Sequence, residues 1–330
     1  MSQNRTDDHV DAISVVVPCH NEEQSLPLLF EEFERVAAEL APARVEFVLV
    51  DDGSADATSE VGRRLAASWP GSQVLTFSRN FGKEAAIFAG LQHAKGDYVA
   101  LMDADLQDPP ALLPEMYRII REEDVESVAT RRKDRAGEPP VRSAFARLFY
   151  RMINRMSETE LVDGARDYRL MSRKFVDAVL SLGESNRFTK GLFSWVGFKT
   201  HWLEYANVER SAGSSQWSFF SLARYAISGI TAFSTTPLVV ASVVGLVLCL
   251  VAVLALVFII VRWAVAGDPV SGWPSLACMI IFIGGVQLLF LGVLGQYLAN
   301  VYGESKHRPI YVLDDCYTSA EGEGDEGGRG

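Results

Sequence analysis

The sequence predicts an α/β domain with a mainly parallel, Rossmann-like sheet, followed by two transmembrane helices. From Ser14 to about residue 105, short β-branched runs alternate with helical stretches, which is typical of a parallel sheet covered by helices on both faces. Three of the predicted strands end in polar clusters, "PCHNEE", "DDGSAD" and "DADLQD". Two long uncharged runs follow, and each supplies the roughly 20 apolar residues that a helix needs to cross a bilayer.

The chain is expected to divide into six segments. These are a disordered N-terminal tail (1–12), the α/β domain (13–215), an interfacial amphipathic helix (216–232), two transmembrane helices (233–263 and 273–302) and a cytoplasmic C-terminal tail (303–330) that is disordered from about residue 314. The two tails carry most of the net charge of −11, and their composition cannot build a core. The charge is therefore no guide to the partner, and we expect no nucleic acid to bind.

Charged residues around the two apolar runs predict the orientation of the chain. Residues 1–12 are polar and acidic, unlike a signal peptide, so we expect the α/β domain to stay in the cytoplasm. Lys306, His307 and Arg308 follow the second run, whereas the connector between the runs contains no Lys or Arg. The positive-inside rule then places both termini in the cytoplasm. We predict an integral protein of the cytoplasmic (inner) membrane with two spans; the alternative for each run is a buried helix of a soluble protein.

The stretch "YVALMDADLQDPP" ends a buried strand in acidic residues. One residue separates Asp103 from Asp105, and two carboxylates at this spacing suit Mg²⁺ or Mn²⁺. Gln107 could add an amide oxygen. Such ions usually bind through one or two carboxylates and a substrate phosphate, so we expect a diphosphate as the ligand. The alternative, in which these acids cap the next helix, is the favoured interpretation for Asp108.

A second acidic pair, Asp51 and Asp52, ends another strand and is followed by Gly53, which lets the backbone turn beside a ligand. For Asp51, a plain Asp-Gly turn is the alternative. The chain contains neither a G-x-G-x-x-G after its first strand nor a G-x-x-x-x-G-K-[ST]. These absences argue against a dehydrogenase and against a P-loop ATPase.

Three motifs at the predicted strand ends, "VVVPCHNEEQSL", "VLVDDGSADAT" and "DADLQDPP", together resemble the inverting family 2 glycosyltransferases with a GT-A fold. Further along, "ARDYRLMSRK", "FTKGLFSWVGFKT" and "ERSAGSSQWSF", followed by two spans, resemble the polyprenyl-phosphate branch, which includes bactoprenol glucosyltransferases and dolichol-phosphate mannose synthases. The resemblance covers about residues 14–308. It implies that residues 13–215 form a GT-A catalytic domain.

The resemblance also implies roles for individual residues. It places Pro18, Glu22 and Asp52 around the nucleoside, with Asp52 beside the base, and Asp51 belongs to the same predicted nucleotide-binding set. Asp103 and Asp105 would be the first metal ligands, assisted by Gln107. Lys83 could reach a phosphate, although a solvated helix lysine is an equally good interpretation.

For the acceptor, the resemblance places Arg131 and Arg210 where the family grips the lipid phosphate, and arginine offers a forked donor set that matches phosphate oxygens. Gln216 stands where many relatives carry Lys, so one cation is missing or replaced. Asp167 matches the acid often assigned as the base. Because a phosphate monoester with a second pKa near 6 is already mostly dianionic, our hypothesis is that Asp167 positions the acceptor or Arg131, and that Asp105 is indispensable.

The predicted function is the inverting transfer of one sugar from a nucleotide diphosphate to a polyprenyl phosphate of the undecaprenyl type. UDP-glucose is the favoured donor, and UDP-GlcNAc, GDP-mannose and an aminoarabinose donor are alternatives. A processive polysaccharide synthase is less well supported, because the chain has no Q-x-x-R-W motif. A non-catalytic scaffold that binds nucleotide sugar, or recruits a flippase, is the alternative of another class. The lipid bilayer is a further expected partner, and a homotetramer is implied by some relatives only.

Overall fold

The computed structural model describes residues 9–132, 162, 164–205, 236–266 and 273–320. These residues belong to two compact units. One is an α/β unit that also includes the chain from Arg308 onward, and the other contains the two long C-terminal helices.

The α/β unit is built on one mixed sheet. Its strands are β1 (Ala12–Cys19), β2 (Arg44–Asp51), β3 (Gln73–Phe77), β4 (Tyr98–Leu101), β5 (Ser127–Arg132), β6 (Ala165–Ser172), β7 (Thr200–Tyr205) and β8 (Leu313–Thr318), in the spatial order β7-β5-β6-β4-β1-β2-β3-β8. Strands β4, β1, β2 and β3 are parallel to one another, as are β5 and β7. Strand β6 runs antiparallel to β4 and β5, and β8 runs antiparallel to β3. The predicted mainly parallel α/β sheet is confirmed.

Helices cover both faces of this sheet. They are α1 (Ser25–Leu40), α2 (Thr58–Ala66), α3 (Lys83–His93), α4 (Leu113–Glu122), α5 (Arg173–Leu180) and α6 (Thr189–Trp195), with a 3-10 turn at Pro110–Leu112. Alternate residues of a strand point to opposite faces. Accordingly Val15 and Val17 pack in the core that contains α1 and α4, whereas Val16 packs in the core that contains α3 and α5. The central strands are buried on both faces, which explains their continuous apolar runs.

The C-terminal segment corrects one prediction. Disorder from about residue 314 is wrong for residues 314–320, because β8 pairs with the edge of β3 and Ser319 N donates a hydrogen bond to Ser72 O at 2.8 Å. The side chains of Asp314 and Asp315 are exposed, while Tyr317 packs against the core. Charged side chains are common on edge strands, where they discourage further pairing. Because of these aspartates, the composition of β8 resembles that of a disordered tail.

The predicted disorder of residues 1–12 is also wrong for residues 9–12. The side chain of Asp11 is buried and accepts a hydrogen bond from the Tyr117 hydroxyl at 2.7 Å. The backbone N–H of Ala12, which begins β1, donates to the Asp97 carboxylate at 2.9 Å. A buried, hydrogen-bonded carboxylate fixes this segment more firmly than its polar composition suggests.

The second unit contains α7 (Thr236–Ala266) and α8 (Trp273–Ser305). Mean hydropathy is 3.1 over Thr236–Ala255 and 1.6 over Phe282–Ser305, and both helices are long enough to cross a bilayer. Their apolar side chains are largely exposed, as with Leu254 at 70% and Leu288 at 71%. Such surfaces mark contact with a membrane or a partner. The predicted spans at 233–263 and 273–302 overlap these helices. Residues 233–235 and the predicted interfacial helix at 216–232 lie outside the described residues.

Candidate functional site

The polar clusters predicted at the strand ends lie along one edge of the sheet. Strands β1, β2 and β4 are parallel and adjacent, so their carboxyl ends meet there. The loop after β3 joins the same edge, and antiparallel β6 brings Asp167 to it. Ligands of open α/β sheets bind at such an edge.

The Asp52 carboxylate forms hydrogen bonds with the loop between β3 and α3. Its two oxygens accept hydrogen bonds from the backbone N–H groups of Phe81, at 2.6 Å, and Gly82, at 2.9 Å. The side chain is buried. Burial raises the pKa of Asp52, and the two backbone bonds oppose this rise. Asp52 therefore has a structural partner in addition to its predicted place beside the base.

Asp51 forms the turn that the alternative interpretation expected. Its Oδ1 accepts hydrogen bonds from the backbone N–H of Ser54, at 3.0 Å, and from the Ser54 hydroxyl. Gly53 follows with φ of +64°. A Cβ at this position would lie 2.5 Å from the carbonyl carbon of Arg79, so only glycine fits. The turn after β2 thus presses directly against the loop after β3.

The polar segment after β1 is hydrogen-bonded to the segment after β2. Asn21 N donates to the Ser54 hydroxyl at 2.9 Å, and Glu22 N donates to the Thr58 hydroxyl at 2.8 Å. The Glu22 carboxylate accepts a hydrogen bond from the Ser25 hydroxyl at the start of α1. Pro18 lies within β1, opposite Val50 of β2. The structure therefore places Pro18, Glu22, Asp51 and Asp52 at the same edge of the sheet.

Lys83 bridges two carboxylates at the centre of the edge. Its Nζ lies 2.6 Å from Asp103 Oδ1 and 2.6 Å from Asp167 Oδ2. Lys190 approaches the other oxygen of Asp167 at 3.5 Å. Lys83 is therefore not a lysine that contacts solvent alone, and its side chain is 43% exposed, which leaves it accessible to a ligand.

The charges in this cluster shift one another's pKa values. Burial alone would raise the pKa of Asp167, but the Lys190 and Lys83 ammonium groups hold it well below its ordinary value. For Asp103, burial outweighs the opposing effect of Lys83 and raises the pKa. Burial lowers the pKa of Lys83, but the Asp167 and Asp103 carboxylates raise it by more, so the net shift is upward. The two ammonium groups therefore favour the ionised form of Asp167.

The acidic loop after β4 is tied to β6 through Arg166. Its Nη2 donates to Gln107 Oε1 at 3.1 Å, and its Nε donates to Asp108 Oδ1 at 2.9 Å. The Tyr205 hydroxyl donates to the same Asp108 oxygen. The prediction that Asp108 caps the next helix is wrong, because this buried carboxylate pairs with Arg166 instead.

The donor set suits a divalent cation in part. Asp103 and Asp105 supply hard oxygen ligands at the edge, and the side chain of Asp103 is 25% exposed. In this arrangement a cation would share the Asp103 carboxylate with Lys83, or would displace the lysine from that carboxylate. A cation held by Gln107 would compete with Arg166, which donates a hydrogen bond to the same amide oxygen.

The predicted acceptor residues are only partly described. Arg131 lies on β5 and forms an ion pair with Glu204 of the adjacent β7, and its side chain is 40% exposed. Asp167 contacts Lys83 and Lys190, and neither contact supports the hypothesis that it positions Arg131. Arg210 and Gln216 lie outside the described residues.

Sequence reasoning missed Lys190 and Arg166 as members of the site. Lys190 is the second residue of α6, and the start of this helix is attached to α3 because Thr189 N donates a hydrogen bond to Glu84 Oε2 at 2.8 Å. Burial raises the pKa of this Glu84 carboxyl. Both missed residues belong to motifs quoted above, "FTKG" and "ARDYRL". Arg166 stands next to Asp167 in the sequence, which is a usable signal, whereas no acid stands next to Lys190. The partners of both cations, Asp108 and Asp167, depend on tertiary packing.

Comparison with known proteins identifies the family. A family model described as glycosyl transferase family 2 matches residues 14–180. The bactoprenol glucosyl transferase of Shigella phage SfV is 42% identical over 301 residues, which cover 91% of this chain and 97% of that protein. The prophage bactoprenol glucosyl transferase homolog of Escherichia coli (strain K12) is 40% identical over 304 residues, covering 91% of this chain and 98% of that protein.

Among solved structures, the glucosyl-3-phosphoglycerate synthase from Mycobacterium tuberculosis in complex with Mn²⁺, UDP-glucose and phosphoglyceric acid is 19% identical. It superposes with a TM-score of 0.46, covering 67% of this chain and 78% of that chain. The family model and the two sequence relatives together establish that the chain belongs to glycosyl transferase family 2.

Proposed function

We propose that the protein transfers glucose from UDP-glucose to bactoprenol phosphate at the cytoplasmic face of a membrane. The observation that carries this proposal is the 42% identity to a bactoprenol glucosyl transferase over 91% of the chain. A match of this length leaves out fewer residues than either α7 or α8 contains, so it includes parts of both helices. The likeness therefore extends beyond the nucleotide-binding half of the molecule.

The two apolar helices support a membrane-bound acceptor. A polyprenyl chain is insoluble in water, so its phosphate must be met at a bilayer surface. Helices α7 and α8 have the length and hydropathy of membrane anchors. The basic residues Lys306, His307 and Arg308 follow α8, which favours a cytoplasmic position for both termini and for the α/β unit.

For the donor, we assign Pro18, Glu22, Asp51 and Asp52 to the nucleotide. The hydrogen bonds among the loops after β1, β2 and β3 support this assignment, because they shape the edge before any ligand arrives. Asp103 and Asp105 would hold Mg²⁺ or Mn²⁺, with Gln107 assisting. When bound, such an ion stabilises negative charge on the departing diphosphate.

The transfer itself exchanges one bond to the sugar for another. An oxygen of the acceptor phosphate forms a bond to the anomeric carbon while the bond from that carbon to the donor diphosphate breaks, which inverts the configuration. The acceptor phosphate, with a second pKa near 6, is mostly dianionic at neutral pH. The attacking oxygen therefore has no proton to lose, and a strong base is unnecessary.

Asp167 then acts as a positioning residue. Its lowered pKa and its contacts with Lys83 and Lys190 support a role in aiming these two ammonium groups at phosphate oxygens. Arg131, Arg210 and Gln216 are proposed to hold the acceptor phosphate. For Arg131 this requires exchange of its exposed ion pair with Glu204, which costs little because such surface pairs contribute about 0–1 kcal/mol.

The decisive experiment supplies membranes that contain the protein with bactoprenol phosphate and labelled UDP-glucose, UDP-GlcNAc, GDP-mannose or an aminoarabinose donor. We expect a glucosylated lipid from UDP-glucose alone, and its loss on addition of EDTA. A different labelled lipid would refute the assigned donor. Unchanged biological function of an Asp105→Asn variant would favour the non-catalytic scaffold.

A further inference from the structure

The chain returns to the α/β unit after its second long helix and becomes part of the sheet. Residues 310–319, which we call the C-terminal strap, contain β8 at the outer edge of β3. Ser78 N donates a hydrogen bond to Val312 O at 3.0 Å near the start of the strap. Near its end, the Ser319 hydroxyl donates to Trp69 O at 2.7 Å. The strap is thus held at both ends.

Tyr311, at the start of the strap, packs on the aromatic side chains of β3 and α3. Its ring stacks on Phe77, with 5.0 Å between the centroids and 15° between the planes. It also meets the edge of Phe88 at 6.4 Å, and its hydroxyl donates to Gln92 Oε1 at 3.0 Å. Aromatic pairs in such geometries contribute beyond the area that they bury.

The aromatic contacts continue from Tyr311 to the loop that Asp52 binds. Phe77 is buried, and its ring makes a perpendicular contact with Phe81 at 5.7 Å. Arg79 covers Phe81, with the guanidinium carbon 3.9 Å from the ring centre. The backbone N–H of Phe81 is one of the two that donate to the Asp52 carboxylate. Tyr311 therefore connects to Asp52 through two rings and one hydrogen bond.

We infer that Tyr311 is a positioning residue for the nucleoside diphosphate of the donor. It acts through Phe77 and Phe81, and it keeps the loop after β3 in the place where Asp52 binds its amide groups. The ligand named here rests on the proposed function, which assigns Asp52 to the nucleotide. Residues 306–310 alone connect α8 to Tyr311, so the end of the apolar anchor leads directly into a support of the donor site.

The chain offers a matched control within the same strap. Tyr317 is also partly buried, but it packs in the core on the other face of the sheet, whereas Tyr311 packs in the core that contains α3. Loss of either ring weakens the attachment of the strap. Only loss of the Tyr311 ring removes the support of Phe77 and Phe81.

The first measurement is the affinity of the full-length protein in detergent for UDP in the presence of Mn²⁺. We expect Tyr311→Ala to weaken binding about tenfold, equivalent to about 1.4 kcal/mol, because the loop after β3 loses the ring contacts that support it. Tyr311→Phe should restore affinity to within about twofold, because it keeps both ring contacts and loses one exposed hydrogen bond. Tyr317→Ala should also stay within about twofold while lowering the melting temperature as much as Tyr311→Ala does.

The second measurement is hydrogen exchange without nucleotide, which reports on the loop alone. We expect faster exchange of the Phe81 and Gly82 amides in Tyr311→Ala and unchanged exchange in Tyr317→Ala. Unchanged exchange in Tyr311→Ala, or equal effects of the two alanine variants on exchange and affinity, would overturn the inference. If the wild-type protein binds no UDP, the proposed function fails, while faster loop exchange in Tyr311→Ala would still support the contact between strap and loop.

Discussion

The two halves of the candidate site hold their carboxylates by different means. Asp52 is bound by backbone N–H groups, in a turn that Gly53 presses against the neighbouring loop. Asp103 and Asp167 are bound by the flexible side chain of Lys83. Backbone contacts within packed loops are difficult to exchange, whereas an ammonium group can leave when a stronger partner arrives. The half that we propose for the nucleotide is therefore held by backbone contacts, whereas the acidic half is held by a side chain that a ligand could displace.

The largest expected effect comes from the acidic half. Asp105→Asn should lower turnover with saturating Mn²⁺ by about 100-fold or more, because charge on the leaving diphosphate loses its stabilisation. Asp167→Asn should lower it only about tenfold, since Lys83 and Lys190 remain. Turnover of both variants in membranes with labelled UDP-glucose tests this difference. Equal losses would show that Asp167 takes part in the chemistry.

The rigid half is tested by Gly53→Ala. The added Cβ would meet the Arg79 backbone at 2.5 Å in a left-handed conformation, so we expect the donor KM to rise about tenfold and stability to fall by about 1–3 kcal/mol. Gly71→Ala is the matched control, because Gly71 also has positive φ, of +81°, but its added Cβ would meet only the Glu46 side chain. A donor KM that rises equally in both variants would contradict a role for the Gly53 contact.

Exchange in the acidic half is tested by Lys83→Met. Removal of the ammonium frees the Asp103 carboxylate and removes a positive charge, so Mn²⁺ should bind the nucleotide-free protein about tenfold more tightly. Titration of Mn²⁺ monitored by electron paramagnetic resonance measures this affinity. Lys199→Met serves as the control, because it removes a lysine whose partner is the exposed Asp124. Mn²⁺ binding that is unchanged or weaker in Lys83→Met would show that the lysine does not compete for the site.

The smallest effect is a pH dependence. The pKa of Asp167 is lowered in the folded protein, so the carboxylate remains ionised at any pH above its ordinary pKa of about 3.9. The stability that the ionised form contributes is lost only as the pH falls below that value toward the lowered pKa. Between pH 5.5 and 8 we therefore expect the rate to fall about fourfold toward pH 5.5, as the acceptor phosphate with second pKa near 6 gains a proton. Rate profiles of the wild type and Asp167→Asn should have the same shape. A profile that becomes flat in the variant would identify Asp167 as the titrating group.

The sequence was sufficient for the parts of the site that follow strand ends. Asp51, Asp52, Asp103 and Asp105 were placed at one edge because parallel strands with polar ends have only that arrangement open to them. The local sequence Asp-Gly likewise predicts the turn that Asp51 forms. These features depend on local pattern and on the chain order of strand and helix.

Contacts between segments that are distant in the sequence could not be predicted from local patterns. Lys83 could be assigned neither to Asp103 nor to Asp167, because β6 reaches the edge antiparallel to its neighbour and from far along the chain. The partner of Asp108 depended on the same strand through Arg166. The position of β8 was hidden by its own aspartates, since an exposed edge strand and a solvated tail have similar composition.

The place of β8 in the chain sets the order in which the molecule can be assembled. Ribosomal synthesis is vectorial, and domains begin to fold from the N-terminal side. The eighth strand is made after both long helices, so the outer edge of β3 remains open until both helices and β8 have been synthesised. A nascent chain therefore cannot complete its catalytic half before its anchor has been synthesised.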